Sequence, residues 1–413
     1  MDPKELELLR VPEERELSQS LSAILNIPLL REIARKIPPK QWEKEFYYDL
    51  KAHSIQATNG LIQPLEEIFT EVRAKLGLSD RQIDLYVSSD HPLNCRYYGG
   101  NSDFFPDIFC IGSELVERLN KAGLAFVIGH ELGHLIFEHV EFQEAMSLLY
   151  SSRDKLPLSI KNQHNLLRKL EEISADRVGL LASGDLEASI KAMIMISSGL
   201  NDNLLTLTLD QVINYSHMIL EDLKKMKIYP ETSHPAMPLR IAALKVFADS
   251  DLYRSIQVGK PVNEDPDLES QMAGLTSLIK AYPANTQEYW TMMAKASAIC
   301  MIISADNNIT QEERIGLLDI ISGFCWCPDS VLKNILQKGP QTFLEVAVNY
   351  LRMNNPSKIE EIVGESARFI VRDRRIDTPE YEKYMELARN YLGMEEDKAL
   401  LALVAAVNVL NKI

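Results

Sequence analysis

In "GHELGHLIF", residues 129–137, two histidines stand four apart and a glutamate directly follows the first. A helix turns about 100° per residue, so His130 and His134 differ by only about 40° in direction and can face one ion. Glu131, beside the first of them, is then placed to hold a water and act as general base. His-Glu-x-x-His on a helix is the spacing of a zinc-dependent hydrolase, although a histidine on an apolar helix is more often a satisfied core residue.

His139 follows His130 by nine residues, about 180° round a continued helix, and is expected to face away from the ion as a helix-end residue. Phe137 and Val140 stand where a metzincin carries Gly and His, which closes that route to a third ligand as well. A hydrolytic zinc site uses three protein ligands and keeps the fourth position open, so the third must come from another element. The stretch "LRKLEEISADRVGLLA" offers Glu172 and Asp176, again four apart. Glu172 could bind the ion while Asp176 accepts the free N–H of a ligand histidine and fixes its tautomer. Glu171, about 100° from Glu172, is the poorer partner for Asp176. Charged pairs at this spacing are common on solvated faces, but Asp176 sits among Ala175, Val178 and Leu180.

A third piece is "ETSHPAMPLRIAAL". His234 stands beside Pro235, where helix is disfavoured, and Arg240 opens the next apolar helix. Peptide hydrolysis builds negative charge on the carbonyl oxygen, and His234 is chemically suited to donate to it. A loop histidine without a role would look the same.

These residues need elements to carry them. Residues 1–58 are charged, with a short helix around "LLREIARKI" ended by Pro38 and Pro39, and read as an N-terminal arm. In "LIQPLEEIFTEVRAKLGL", Leu65, Ile68, Phe69, Val72 and Leu76 keep helical spacing and Gly77 marks the stop. "QIDLYVSS" and "DIFCIGS" read as short strands separated by the turn-rich "NCRYYGGNSDFFP". Helices follow to about residue 250, and "VGKPVNEDPD", 258–267, has the composition of a linker. The expected organisation is thus an arm (1–58), a site-bearing domain (59–257), a linker (258–267) and a helical domain (268–413). The fold class is α+β, mostly α, with a small sheet and an active-site helix ahead of an all-α C-terminal domain.

The C-terminal region repeats itself: "ADNNITQEERIGLLDI" aligns with "RDRRIDTPEYEKYMEL", matching Asp306 with Asp373, Ile309 with Ile376 and Glu313 with Glu380. A calcium loop is excluded in the first copy, because an EF-hand needs Gly and Glu where Gln311 and Leu317 stand. Thr310 with Glu313, and Asp377 with Glu380, have the spacing of helix capping boxes.

The 413 residues carry 44 Lys and Arg against 59 Asp and Glu, a formal net charge of -15 that argues against binding duplex nucleic acid. No basic-then-apolar leader opens the sequence, and the longest apolar run, "ALLALVAAV", is short of the ~20 residues that cross a bilayer. Five cysteines, odd in number and sparse, fit reduced thiols in a cytoplasmic protein. Cys325 and Cys327, in "FCWCP", offer two metal ligands with no second pair nearby, and are expected to be inert.

From about residue 50 to 250 the chain resembles the gluzincin metallopeptidases of the HtpX and CAAX-prenyl-protease family, in particular their soluble bacterial members. "NCRYYGG", "FVIGHELGHLIFEH", "EEISADRVGLLA" and "SHPAMPLRIAAL" occur in the family's order. The resemblance implies a zincin-type domain with zinc on His130, His134 and Glu172, Glu131 as base and Asp176 behind the ligands. It also implies that His234 and Arg240 contact the substrate carbonyl or orient the site. The strand around "DIFCIGS", with Phe109, Cys110 and Ile111, would be the edge to which a peptide adds. Where the family has an "NAFA"-like stretch this chain has "NCRYY", and the membrane helices of the best-known members are missing. The region after residue 268 resembles the TerB-like domain through "ADNNITQEE".

The expected function is therefore a soluble zinc metalloendopeptidase acting on a peptide or protein. Its rivals are a latent peptidase, covered by the arm or the C-terminal helices, and an inactive peptidase fold whose C-terminal helices bind a protein partner.

Overall fold

The computed structural model describes residues 3–38, 41–99, 106–150, 157–201, 208–226, 234–279, 286–305, 309–322, 328–372 and 376–410. The chain divides into two compact units, Met1–Ser152 with Asn165–Ile279, and Arg153–His164 with Lys280–Ile413. It is a mostly helical α+β protein with one small mixed sheet.

The first unit opens with α1 (Pro3–Glu7), α2 (Pro12–Leu25), α3 (Ile27–Lys36) and α4 (Gln41–His53), followed by β1 (Ile55–Gln56) and α5 (Gln63–Lys75). Next come β2 (Ile83–Ser88), β3 (Cys95–Tyr98), β4 (Asp107–Gly112), α6 (Ser113–Arg118), α7 (Lys121–Ile136) and α8 (His139–Leu149). After α9 (Leu158–Ser183), which belongs to this unit from Asn165 on, follow α10 (Leu186–Ser198), α11 (Leu209–Met226), α12 (Met237–Asp249), α13 (Asp251–Gln257) and α14 (Pro266–Thr276).

The segment read as an arm is part of this unit's core. Leu9, Val11, Leu17, Leu21 and Leu25 are all buried, and Leu17, Leu21 and Leu25 recur at the spacing that puts one face of α2 inward. α5 buries the stripe expected of it, Leu65, Ile68, Phe69 and Val72, and Gly77 follows with a positive φ of 76°. The stretch read as a linker is pinned: Asp265 caps α14 by accepting from Leu268 N–H at 3.0 Å and also accepts from Asp251 N–H at 3.0 Å.

The sheet order is β1-β2-β4-β3, with β2 parallel to β4 and the other pairs antiparallel. Two expectations are corrected here. Part of the stretch read as turn, Cys95–Tyr98, is a strand, because Cys95 and Tyr97 both turn inward at period-two spacing. In consequence β4 lies inside the sheet, paired with β2 on one side and β3 on the other, and β3 is an edge strand, as β1 is at the opposite end.

The second unit runs through α15 (Thr286–Ile303), α16 (Gln311–Ser322), α17 (Pro328–Lys338), α18 (Pro340–Asn354), α19 (Ser357–Val371), α20 (Thr378–Glu386), a π-helical turn and α21 (Glu396–Leu410). α15 is its centre: every residue from Thr291 to Ile303 is buried, the mark of a helix packed on all sides. The sequence repeat is a repeated helix pair, since α16 and α20 begin at the aligned residues Gln311 and Thr378. Glu313 and Thr310 form the expected capping box, with Thr310 N–H donating at 2.6 Å and Glu313 N–H returning to Thr310 Oγ1 at 3.2 Å. At α20, Asp377 occupies the cap position without a side-chain cap hydrogen bond, so the second box is not formed from that side. Asp306 and Asp373 lie outside the described residues, as do Cys325 and Cys327. Cys95 and Cys300 are buried free thiols, and Cys110 is a half-buried one.

Candidate metal centre

α7 carries the two histidines on a mostly buried helix, begun by Asn120, whose side chain accepts from Gly123 N–H at 2.8 Å. α9 crosses it at very short range. A methyl group on Gly129 would lie 2.4 Å from the Ala182 Cβ, and one on Gly133 would lie 3.1 Å from the Ala175 Cα. The glycines flanking His130 and His134 therefore set how closely the histidine helix approaches the helix bearing Glu172 and Asp176.

That approach brings His130, His134 and Glu172 together, with one ligand atom from each lying within 4.8 Å of the others. The two Nε2 atoms are 3.2 Å apart, and each is 3.6 Å from a Glu172 carboxyl oxygen. Ligand atoms about 2.0–2.2 Å from one tetrahedral ion lie roughly 3.3–3.6 Å from each other, so this donor set fits zinc. Among the described residues the group offers three candidate ligands, the number a hydrolytic zinc site uses.

Each of these candidate ligands is held from behind. Asp176 Oδ1 lies 2.9 Å from His130 Nδ1, leaving Nε2 for the ion. Burial opposes protonation of His130, but the hydrogen bond and charge of Asp176, with Glu172, outweigh it and raise the imidazole's pKa. Arg240, from the first turns of α12, donates to both Asp176 oxygens, Nε to Oδ2 at 2.8 Å and Nη2 to Oδ1 at 2.6 Å. Its Nη1 lies 3.2 Å from Glu172 Oε2. Although burial disfavours the Asp176 carboxylate, Arg240 and His130 hold it below the usual range. The His134 pKa falls well below 6.5, first through burial and then through its histidine neighbours, which leaves the neutral imidazole that a metal needs.

His139 does not face away. α7 ends at Ile136, Glu138 takes left-handed backbone geometry (φ 58°), and α8 restarts at His139. Extrapolating one continuous helix therefore misplaces the ring. Its Nδ1 comes to 2.7 Å from His134 Nδ1, and its Nε2 to 3.1 Å from Glu14 Oε1. Glu14, on α2, is completely buried. It also accepts from Arg10 Nε at 2.8 Å and from the Ser174 hydroxyl, which in turn accepts from Val11 N–H at 2.9 Å. Burial penalises its charge, but His139, Arg10 and Ser174 outweigh this and lower its pKa to about 2. Sequence reasoning set His139 aside and did not single out Glu14. The one available signal for Glu14 is its place on the apolar stripe of α2, three residues before Leu17.

The Glu131 carboxylate, within electrostatic reach of His130 and Glu172, accepts the Tyr97 backbone N–H at Oε2, 3.3 Å away. Burial, with a smaller contribution from Glu172, pushes its carboxyl up to about 7. The strand facing the site is thus β3. Phe109 and Ile111 are fully buried and Cys110 half-buried, and their strand has neighbours on both sides, so they cannot receive an added strand. Within "NCRYY", the Tyr97 phenol is engaged away from Glu131: it donates to Asp107 Oδ1 at 2.8 Å and accepts from Arg81 Nη2 at 3.2 Å. His234 keeps about half its side chain exposed, with Nε2 3.4 Å from Glu172 Oε1. Glu171 is buried near His139 and Glu14, not behind Asp176, and burial pushes its carboxyl to about 7.

Residues 62–154 match the family model of peptidase family M48. This match points to a metallopeptidase and covers β2 to β4, α7 and the motif residues His130, Glu131 and His134. It ends before Glu172, which the crossing of α9 supplies. No curated protein and no solved structure matches the chain.

Proposed function

We propose that this chain is a zinc-dependent endopeptidase. The observation that carries the reading is the convergence of His130, His134 and Glu172, with Glu131 between that group and the open edge of β3. The M48 match over the same helix supports it.

A bound zinc ion would supply Lewis acidity, polarising the carbonyl and easing removal of a proton from water. Glu131 takes that proton and returns it to the leaving amine. His234, exposed beside Glu172, donates to the oxygen on which charge develops. Arg240, occupied by two carboxylates, orients the site and does not reach the substrate. An extended peptide adds to β3 through its backbone, which makes recognition tolerant of sequence.

Within M48 the motif order favours the HtpX and CAAX-prenyl-protease type. Among the described residues no helix is long and apolar enough to cross a membrane. For the second unit we propose a protein-binding role of TerB-like kind, supported by the "ADNNITQEE" motif and its repeated helix pair.

The test is zinc content and casein or peptide cleavage by the purified chain and its Glu131→Gln variant. One bound zinc in both and cleavage in the wild type alone is expected. Cleavage that survives the substitution would overturn the assignment.

A further inference from the structure

His130 is supported by a carboxylate in direct contact, Asp176. Among the described residues, the partner at His134 Nδ1 is not a carboxylate but His139, and behind His139 stands Glu14. The donor inventory of these groups permits one arrangement when His134 binds a metal through Nε2. His134 Nδ1 must then carry the proton and donate to His139 Nδ1, which accepts with its lone pair. His139 Nε2 consequently carries the other proton and donates to Glu14 Oε1. Glu14 is a full acceptor, since Arg10 Nε and the Ser174 hydroxyl also donate to it. Every hydrogen bond in this run points from the metal ligand toward the buried carboxylate.

From this geometry we infer that Glu14 and His139 are positioning residues for the metal centre, a carboxylate-histidine relay that fixes the tautomer and ring orientation of His134. It does for this ligand, through one additional ring, what Asp176 does for His130. Four points favour a relay over mere packing. Glu14 is wholly inaccessible and the His139 side chain almost so. A buried carboxylate is costly unless several donors meet it, and three do here. The contact joins residues far apart in sequence, Glu14 on α2 and His139 on α8. Finally, the left-handed break at Glu138 is what turns His139 back toward His134. The N-terminal helix α2 is therefore part of the metal site, and metal binding and docking of α2 are coupled. The inference rests on the metal reading of His130, His134 and Glu172.

The test uses the full chain and does not need its activity. Zinc affinity is measured by competition with a chelator for the wild type, Glu14→Gln, His139→Asn, the double variant, and Glu32→Ala as an exposed control on α3. Glu14→Gln and His139→Asn should each weaken zinc binding about 10- to 100-fold, and the double variant should lose little more than the worse single one. The control should match the wild type. Nitrogen-15 NMR of the wild-type imidazoles, independent of how the variants fold, should find the zinc-loaded His134 protonated at Nδ1 and His139 at Nε2. Wild-type zinc affinity in a folded Glu14→Gln chain, or His139 protonated at Nδ1 and not at Nε2, overturns the relay while leaving the metal centre standing. A wild-type chain that binds no zinc overturns both.

Discussion

Arg240 grips Asp176 with two hydrogen bonds, at 2.8 and 2.6 Å, and reaches Glu172 with its remaining nitrogen at 3.2 Å. One guanidinium thus faces both the Asp176 carboxylate that supports His130 and the candidate ligand carboxylate of Glu172. Arg240→Met would leave two buried carboxylates without that countercharge. Zinc affinity should fall about 10- to 100-fold by chelator competition. Arg240→Lys should not restore it, because an ammonium cannot offer two parallel donors. Wild-type affinity in the lysine variant would show that charge alone matters.

The crossing of α7 and α9 rests on absent side chains. At Gly129 an added methyl would sit 2.4 Å from the Ala182 Cβ, so Gly129→Ala must spread the two helices. Overpacking of this kind costs about 1–3 kcal/mol, and the spreading carries His130 away from Glu172. A lower melting temperature and weaker zinc binding are expected together. Ala182→Gly in the same chain makes room for the methyl and should recover both. Recovery of stability without recovery of zinc binding would separate the spacing from the site.

Removing residues 1–58 should abolish the metal site. The latent-peptidase reading of the arm predicts the opposite, a rise in turnover. Leu9, Val11 and Leu21 have no exposed surface, and Glu14 ends the run from His134. A truncated chain should therefore expose core surface and bind a hydrophobic dye, with zinc lost. A folded truncation with raised turnover would restore the covering role.

Local spacing made part of this site legible in the sequence. His130 and His134, and Glu172 and Asp176, each lie four apart on one helix, and helical geometry alone predicts that each pair shares a face. The apolar stripe of α5 was readable for the same reason. Longer-range information was not. The β3 edge was hidden because "CRYY" is four residues long and sits between turn-forming residues, so its identity as a strand depends on pairing with β4. His139 was misread because a non-glycine residue, Glu138, takes the left-handed conformation and breaks the helix without a sequence marker. Glu14 lies 125 positions from His139, and its partner could be known only once α2 was docked.

The depressed pKa of Glu14 makes the stability of the first unit sensitive to acid. Its carboxyl titrates near 4.5 when unfolded and at about 2 in the folded chain, so between these values the unfolded state binds more protons. The stabilisation is complete above pH 4.5 and is lost as pH falls through 2. The shift corresponds to about 3 kcal/mol for this fully buried group. Glu14→Gln has no charge to titrate. Urea unfolding of the ion-free chain should show the wild type more stable than Glu14→Gln at pH 6, with the difference shrinking steadily from pH 4.5 toward pH 2.5. Removing the ion first keeps loss of metal at low pH from imitating the effect. A gap that stays constant across this window would mean that the Glu14 carboxylate is not held charged by His139, Arg10 and Ser174 in the folded chain.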